Sequence, residues 1–289
     1  MQETMERVAA VVVVHPSTYT TLLVHAEPGL ASSHRVEVAA RLARSLDARL
    51  IGLGAETFDP TPYSGPFTGY AAGEWVSLVQ EQIGKSLVAA EAAFRRDAAG
   101  ADTDWRCIQD YPHRALVKTA HAADLIVASP RSDSGAQRSA DPGDVVMNAG
   151  RPVLIAPAGR SHLVGMSVVV AWKDTRECRR ALTDALPFLQ RAEEVIVLAV
   201  VDPDMADAAV FETDDVVANL KRHGVDARAL VTSIDHDAVA EEIERVANLN
   251  GADLIVAGAY GHSRLREWVF GGVTDNFLHR PGCFVLLSH

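Results

Sequence analysis

Cysteine, aromatic side chains, basic residues and long apolar runs are all scarce in this chain of 289 residues, and each shortage removes a class of protein. The three cysteines, Cys107, Cys178 and Cys283, are odd in number, far apart and without any C-x-x-C spacing. They imply neither a disulfide framework nor a zinc site, and read as small buried hydrophobes. Uninterrupted apolar runs such as 9–14 fall far short of the roughly 20 residues that span a bilayer. The first six residues carry two acids and no base, the reverse of a basic leader, so the expectation is a cytoplasmic protein with no membrane association. Lys and Arg number 27 against 38 Asp and Glu, a formal charge of −11. Affinity for long nucleic acids comes from cations that neutralise phosphates, so no nucleic-acid partner is expected.

What is present is a core-forming composition, 48% apolar with 22% charged residues, over a length that suits about two domains. The hexapeptide Ala-Asp-Leu-Ile-Val-Ala occurs at 123–128 and again at 252–257, an offset of 129. The same offset carries Arg151-Pro152 onto Arg280-Pro281 and Gly143 onto Gly272 without a gap. Three features in one register point to a duplicated compact domain rather than a short-period solenoid. The division expected is a short extension over 1–18, a first domain over 19–160 and a second over 161–289.

Each copy alternates apolar strand runs with segments of helical period. In the first, strands fall at about 20–26, 50–53, 105–109, 125–128 and 153–156, with a Pro- and Gly-rich loop over 58–69. A helical face of Val36, Ala39, Ala40, Ala43 and Leu46 follows the first strand, and further helices are expected over 74–97 and 112–121. In the second, strands are expected at 167–171, 195–201, 227–232, 254–257 and 284–287. Its helices follow Cys178 to Leu189, where Pro187 should kink or end the first one, then 207–222 ending at Gly224, and 239–249. Alternation of this kind implies parallel pairing with right-handed crossovers. The fold class expected is therefore α/β, with two tandem doubly wound open-sheet domains of five mainly parallel strands each.

The most specific chemistry follows the fourth strand of the second copy, where Gly258-Ala-Tyr-Gly261 is followed nine residues later by Gly271-Gly272-Val273-Thr274. Glycine lets a chain leave a strand end with unusual backbone angles and brings N–H groups close to a ligand. Where such a loop enters a helix, those N–H groups and the helix dipole form an anion site. The N–H groups of Gly272 and Val273 and the Thr274 hydroxyl would suit phosphate oxygens. Charge agrees with this: residues 161–289 are net −8, yet 258–280 holds Arg264, Arg266 and Arg280 against Glu267 and Asp275, net +1.

This arrangement resembles the universal stress protein family, whose ATP-binding members carry G-x2-G-x9-G-[S/T] at this place. The resemblance is strongest over 251–289, and with its weaker parts covers nearly the whole chain as a tandem member with the adenine nucleotide alpha hydrolase-like fold. It implies ATP or AMP, with or without Mg, at the strand ends. Phosphates would lie on Gly261, His262, Ser263, Arg264, Gly271, Gly272, Val273 and Thr274, with Gly258 also in the binding site. Adenine and ribose would meet Ala171, Trp172, Lys173 and Asp174 at one strand end, and Val201 with its neighbours at the next. It further implies that the two domains pair intramolecularly through their last strands, and leaves a homodimer open.

Three departures stand out. Gly272 occupies the motif's Ser/Thr position, and Lys173 stands where the family usually has Asp. In the first copy Ser129, Ser132 and Pro142 replace Gly258, Gly261 and Gly271, so that copy is expected to have lost nucleotide binding. Packing explains Trp172 and the pair His25 and Glu27 more simply than ligand contact does. None of the eleven histidines forms an H-x-x-x-H or H-x-H pair, and no nucleophile elbow, P-loop or kinase motif occurs. No metal site and no catalytic residue are assigned. The role implied is regulatory, with a partner-binding protein of vestigial sites or a weak nucleotide hydrolase as alternatives.

Overall fold

The strand runs that the sequence marks as continuous and apolar are buried on both faces, as parallel strands covered by helices must be. The computed structural model describes residues 18–57, 70–131, 139–234, 238–261 and 271–289; the 58–69 loop lies outside them. In the first half β1 (Thr21–His25) lies between β2 (Arg49–Ala55) and β4 (Leu125–Ala128). Outside these sit β3 (Thr103–Ile108), next to β2, and β5 (Val153–Ile155), next to β4, all parallel. The second half repeats this order. Here β6 (Ser167–Ala171) lies between β7 (Glu194–Val201) and β9 (Leu254–Gly258), with β8 (Ala227–Ser233) and β10 (Phe284–Ser288) outside.

The two sets run into one ten-stranded sheet, because β10 pairs antiparallel with β5 in the register Val285↔Ile155, Leu286↔Leu154 and Leu287↔Val153. Successive strand residues point to opposite faces. Leu22, Val24, Val168 and Val170 therefore join one core layer, and Leu23, Val169 and Ile255 the other. The first layer is covered by α1 (Leu30–Leu46), α2 (Tyr70–Asp97), α5 (Arg176–Asp184), α6 (Leu186–Leu189) and α7 (Ala206–Arg222). The second is covered by α3 (Pro112–Thr119), α4 (Pro142–Asn148), α8 (Val239–Leu249) and α9 (Gly271–His279). No described helix is long and apolar enough to cross a membrane.

Pro187 acts as its chemistry requires: α5 stops at Asp184, and the proline sits in the first turn of α6. Gly224, after α7, has φ of +77°, the left-handed conformation that ends helices. The helix α4 is an addition to the expected elements. Its seven residues are too few to show a period, but Asp141-Pro142 is a capping residue followed by proline at the first helical position.

The duplicated hexapeptide has a structural task in both halves. Asp124 accepts hydrogen bonds from Thr20 N at 2.9 Å, Thr21 N at 3.1 Å and Thr20 Oγ1 at 2.9 Å. Asp253 accepts from Val164 N at 2.7 Å and Gly165 N at 3.0 Å. Each aspartate, one residue before a fourth strand, thus fixes the chain as it approaches the first strand beside it. Asp124→Ala removes the acceptor of two backbone N–H groups, one exposed and one part-buried, and should lower unfolding free energy by about 0.5–1.5 kcal/mol, measured by chemical denaturation.

Candidate functional site

Open α/β sheets bind ligands at the carboxyl ends of their strands where the strand order reverses. That point falls between β6 and β9, whose ends stand level through the pair Ala171↔Ala257. The chain leaves β6 through Trp172 and turns directly into α5, where Thr175 caps the helix by accepting from Cys178 N at 3.2 Å. It leaves β9 through Gly258 against that same first turn. A Cβ on Gly258 would lie 2.5 Å from Cys178 N and 2.7 Å from the Glu177 carbonyl carbon, so only glycine fits. A Cβ on Gly261 would lie 3.3 Å from Thr175 Oγ1 and Glu177 Oε2.

Gly271 and Gly272 open α9. A Cβ on Gly272 would meet no atom of the described residues within 4 Å. No carboxylate among the described residues caps it. Val273 follows, half-buried, and Thr274 is buried with its hydroxyl accepting from Tyr260 N at 3.5 Å. That hydroxyl braces the glycine turn from within. Trp172 is buried in the first core layer, with an indole N–H that has no partner among the described residues.

The structure thus gathers Ala171, Trp172, Gly258, Gly261, Gly271, Gly272, Val273 and Thr274 about the strand ends. Lys173 and Asp174 stand on the exposed rim, Asp174 Oδ1 accepting from Arg179 Nε at 2.9 Å. Val201 lies further along, since Ala171 is level with Leu198 and Val201 pairs with Ser233. His262, Ser263 and Arg264 lie outside the described residues.

Sequence reasoning missed Thr175 and Glu177. Glu177 is only 3% exposed and bonds Arg176 Nε. Burial would raise its carboxyl pKa, but the hydrogen bond and charge of Arg176, with His289 nearby, hold it below the usual range. The available signal was Thr175 directly after a strand with an acid two residues on, a helix-start pattern.

The corresponding crevice of the first half, between β1 and β4, is closed by its own side chains. Arg35, 3% exposed, reaches from α1 across both strand ends. Its Nε and Nη2 donate to His25 O at 3.0 and 2.8 Å, Nη1 to Ser129 Oγ at 2.7 Å, and Nη2 to Glu27 Oε2 at 2.8 Å. His25 Nδ1 lies 2.6 Å from that same Glu27 oxygen. His25 and Glu27 therefore do line the strand-end cleft, but as members of a buried ionic plug.

The helix start is closed as well. Asp141 Oδ1 accepts from Gly143 N at 2.8 Å and Asp144 N at 3.2 Å, the N–H groups that match those of Gly272 and Val273 at the offset of 129. Asp141 is itself paired with Arg131, at 2.7 and 2.9 Å. In the first half a carboxylate of the chain holds the position that an external anion could take in the second. Ser132 lies outside the described residues.

This architecture defines a doubly wound α/β protein with a glycine turn at one switch point and, beside it, a helix start that no described carboxylate caps. Residues 166–289 match the model of the universal stress protein family. The chain as a whole shares its fold with solved proteins. A universal stress protein of Archaeoglobus fulgidus DSM 4304 matches with a TM-score of 0.63 at 14% identity, over 93% of this chain and 95% of that one. A functionally unknown protein of Pseudomonas aeruginosa PAO1 matches with a TM-score of 0.54 at 15% identity, over 93% and 92%. None of the curated proteins matches the sequence.

The ionic plug generates a pH prediction. Burial would raise the Glu27 carboxyl, but the Arg35 charge and hydrogen bonds from His25 and Arg35 hold it below its ordinary value of 4.5. A depressed folded pKa stabilises the fold above the unfolded pKa, and that stability is lost as pH falls through the folded value. Denaturation midpoints should therefore decline below about pH 4.5, with a smaller decline in Glu27→Gln. Arg35→Met leaves the largely buried Glu27 carboxylate with His25 as its remaining partner and should cost roughly 3–5 kcal/mol at neutral pH.

Proposed function

We propose that this protein is a tandem universal stress protein that binds an adenine nucleotide, ATP or AMP, at the β6 and β9 strand ends, and that its first half does not. The domains in this reading span 19–160 and 161–289, after an extension over 1–18. One observation carries the proposal: equivalent helix starts differ, α4 being capped by Asp141 while α9 opens on Gly271-Gly272 with no carboxylate of the described residues on it. N–H groups at such a start, together with the helix dipole, favour phosphate. The unpartnered Trp172 indole N–H adds a buried donor at the same strand end. No group of three or more His, Cys, Asp or Glu among the described residues could hold a metal, so any Mg would arrive with the phosphates. Occupancy would act in the cytoplasm by favouring one conformation or partner over another, which requires different affinities for the two states.

Glu177 favours a second reading, a partner-binding stress protein whose site is vestigial. Its buried carboxylate sits against Gly261, where it opposes a phosphate.

Calorimetric titration separates the two. ATP should bind at millimolar concentration or tighter in the wild type. Gly272→Asp places a carboxylate at the helix start, where it suits the dipole, so thermal stability should hold. The same charge about 4 Å from a phosphate should weaken ATP binding by well over tenfold. No heat at millimolar ATP, or wild-type affinity in Gly272→Asp, overturns the nucleotide reading.

A further inference from the structure

Among the described non-glycine residues only Asp47 and Tyr260 have φ in the left-handed region, at 54° and 55°. Asp47 caps the end of α1, an ordinary place for that conformation. Tyr260 is different: a bulky residue in mid-turn is a true outlier there, and such strain persists only where the surroundings fix it. Its neighbours on the chain are held firmly. Ala259 N donates to Ser288 O at 2.8 Å, His289 Nδ1 lies 3.0 Å from Ala259 O, and Tyr260 N donates to Thr274 Oγ1.

The Tyr260 side chain is half-buried against the second core layer, and its hydroxyl reaches the first half of the chain. A Cβ on Gly143 would lie 2.6 Å from Arg131 Nη2 and 3.0 Å from Tyr260 Oη, so both polar tips rest over that glycine. Burial raises the phenol pKa, while the charge and a hydrogen bond of Arg131 draw it back. Arg131 is itself fixed on three sides. It is bidentate to Asp141, its Nη1 donates to Asp275 Oδ1 at 3.3 Å, and its backbone N donates to Leu278 O at 2.6 Å.

At the offset of 129, Arg131 matches Tyr260. The same loop position in each half therefore crosses to the other, Arg131 to α9 and Tyr260 to the start of α4. Gly143 reads in the sequence as the last survivor of a phosphate loop. The structure assigns it another task, to leave room for the two tips that meet above it.

We propose that Tyr260, clamped over Gly143 by Arg131, is a positioning residue that holds the 258–261 turn, so that the first half of the chain forms part of the second half's site. The clamp stands on geometry alone, while its effect on ligand affinity rests on the nucleotide reading above.

Amide hydrogen exchange on the full chain tests the clamp without a ligand. Exchange in 254–261, normalised to 167–171, should rise severalfold in Arg131→Met and Tyr260→Phe. It should stay at the wild-type level in Arg95→Ala, which breaks an exposed ion pair on α2. Arg131→Lys should restore part of the protection. Exchange in both clamp variants equal to Arg95→Ala overturns the proposal.

Where exchange does rise, ATP affinity gives the second readout, with severalfold weakening expected in Tyr260→Phe at unchanged melting temperature. A wild type that binds ATP while both clamp variants bind equally well overturns the positioning role. A wild type that takes no ATP, with exchange raised in the variants, upholds the clamp and removes the nucleotide reading instead.

Discussion

Three antiparallel residue pairs between β5 and β10 make one sheet of what the sequence builds as two. Both strands are wholly apolar and buried, apart from the buried Ser288 at the end of β10. Left unpaired, each would be an exposed apolar edge, the kind of surface that recruits other chains. Paired, they carry both core layers across the junction without interruption, since each layer holds residues of both halves. The junction is core rather than a contact between finished surfaces.

Within that common frame the two switch points differ in who supplies the charge. In the first half a guanidinium, an imidazole and two carboxylates have turned inward, and every hydrogen-bonding direction of Arg35 that the structure uses ends on the chain itself. Buried charges are tolerated only when paired and hydrogen-bonded in this way. The plug therefore closes the crevice and exists because the crevice is there to be filled. In the second half the equivalent helix start has no such cap among the described residues, and the indole N–H of Trp172 after β6 has no partner among them. The buried carboxylate against Gly261, Glu177, belongs to the first turn of α5 and is matched by Arg176.

The strands were legible in the sequence because both faces of a parallel sheet are covered, which leaves apolar runs such as 168–170 and 195–199 with no polar alternation. Pro187 and Gly224 were legible because their backbone chemistry acts locally. Arg35 was not: one turn from Ala39 on a helix with an alanine-rich inner face, it has the look of a solvated rim residue. Only the tertiary position of β4, ninety residues later, brings Ser129 to it at 2.7 Å. α4 was hidden by its shortness, although Asp141-Pro142 announced its start. In the site, the glycines were legible by spacing, whereas Thr175 and Glu177 were not, because they matter through their packing against Gly258 and Gly261.

Gly143 and Gly272 show how one letter in one repeat register can answer two unlike constraints. At Gly272 a Cβ would meet no atom of the described residues within 4 Å, so none of them requires glycine there. At Gly143 a Cβ would lie 2.6 Å from Arg131 Nη2 and 3.0 Å from Tyr260 Oη, so it would displace the two tips that meet there. Duplication placed glycine at both positions, and the physical reasons for keeping it then diverged with the charges around it. In the first half the helix start turned to its own carboxylate and to a clamp from the other half. In the second half the helix start has no such cap among the described residues, and the turn before it came to depend on a tyrosine whose anchor lies at the position where the first half's own loop had closed.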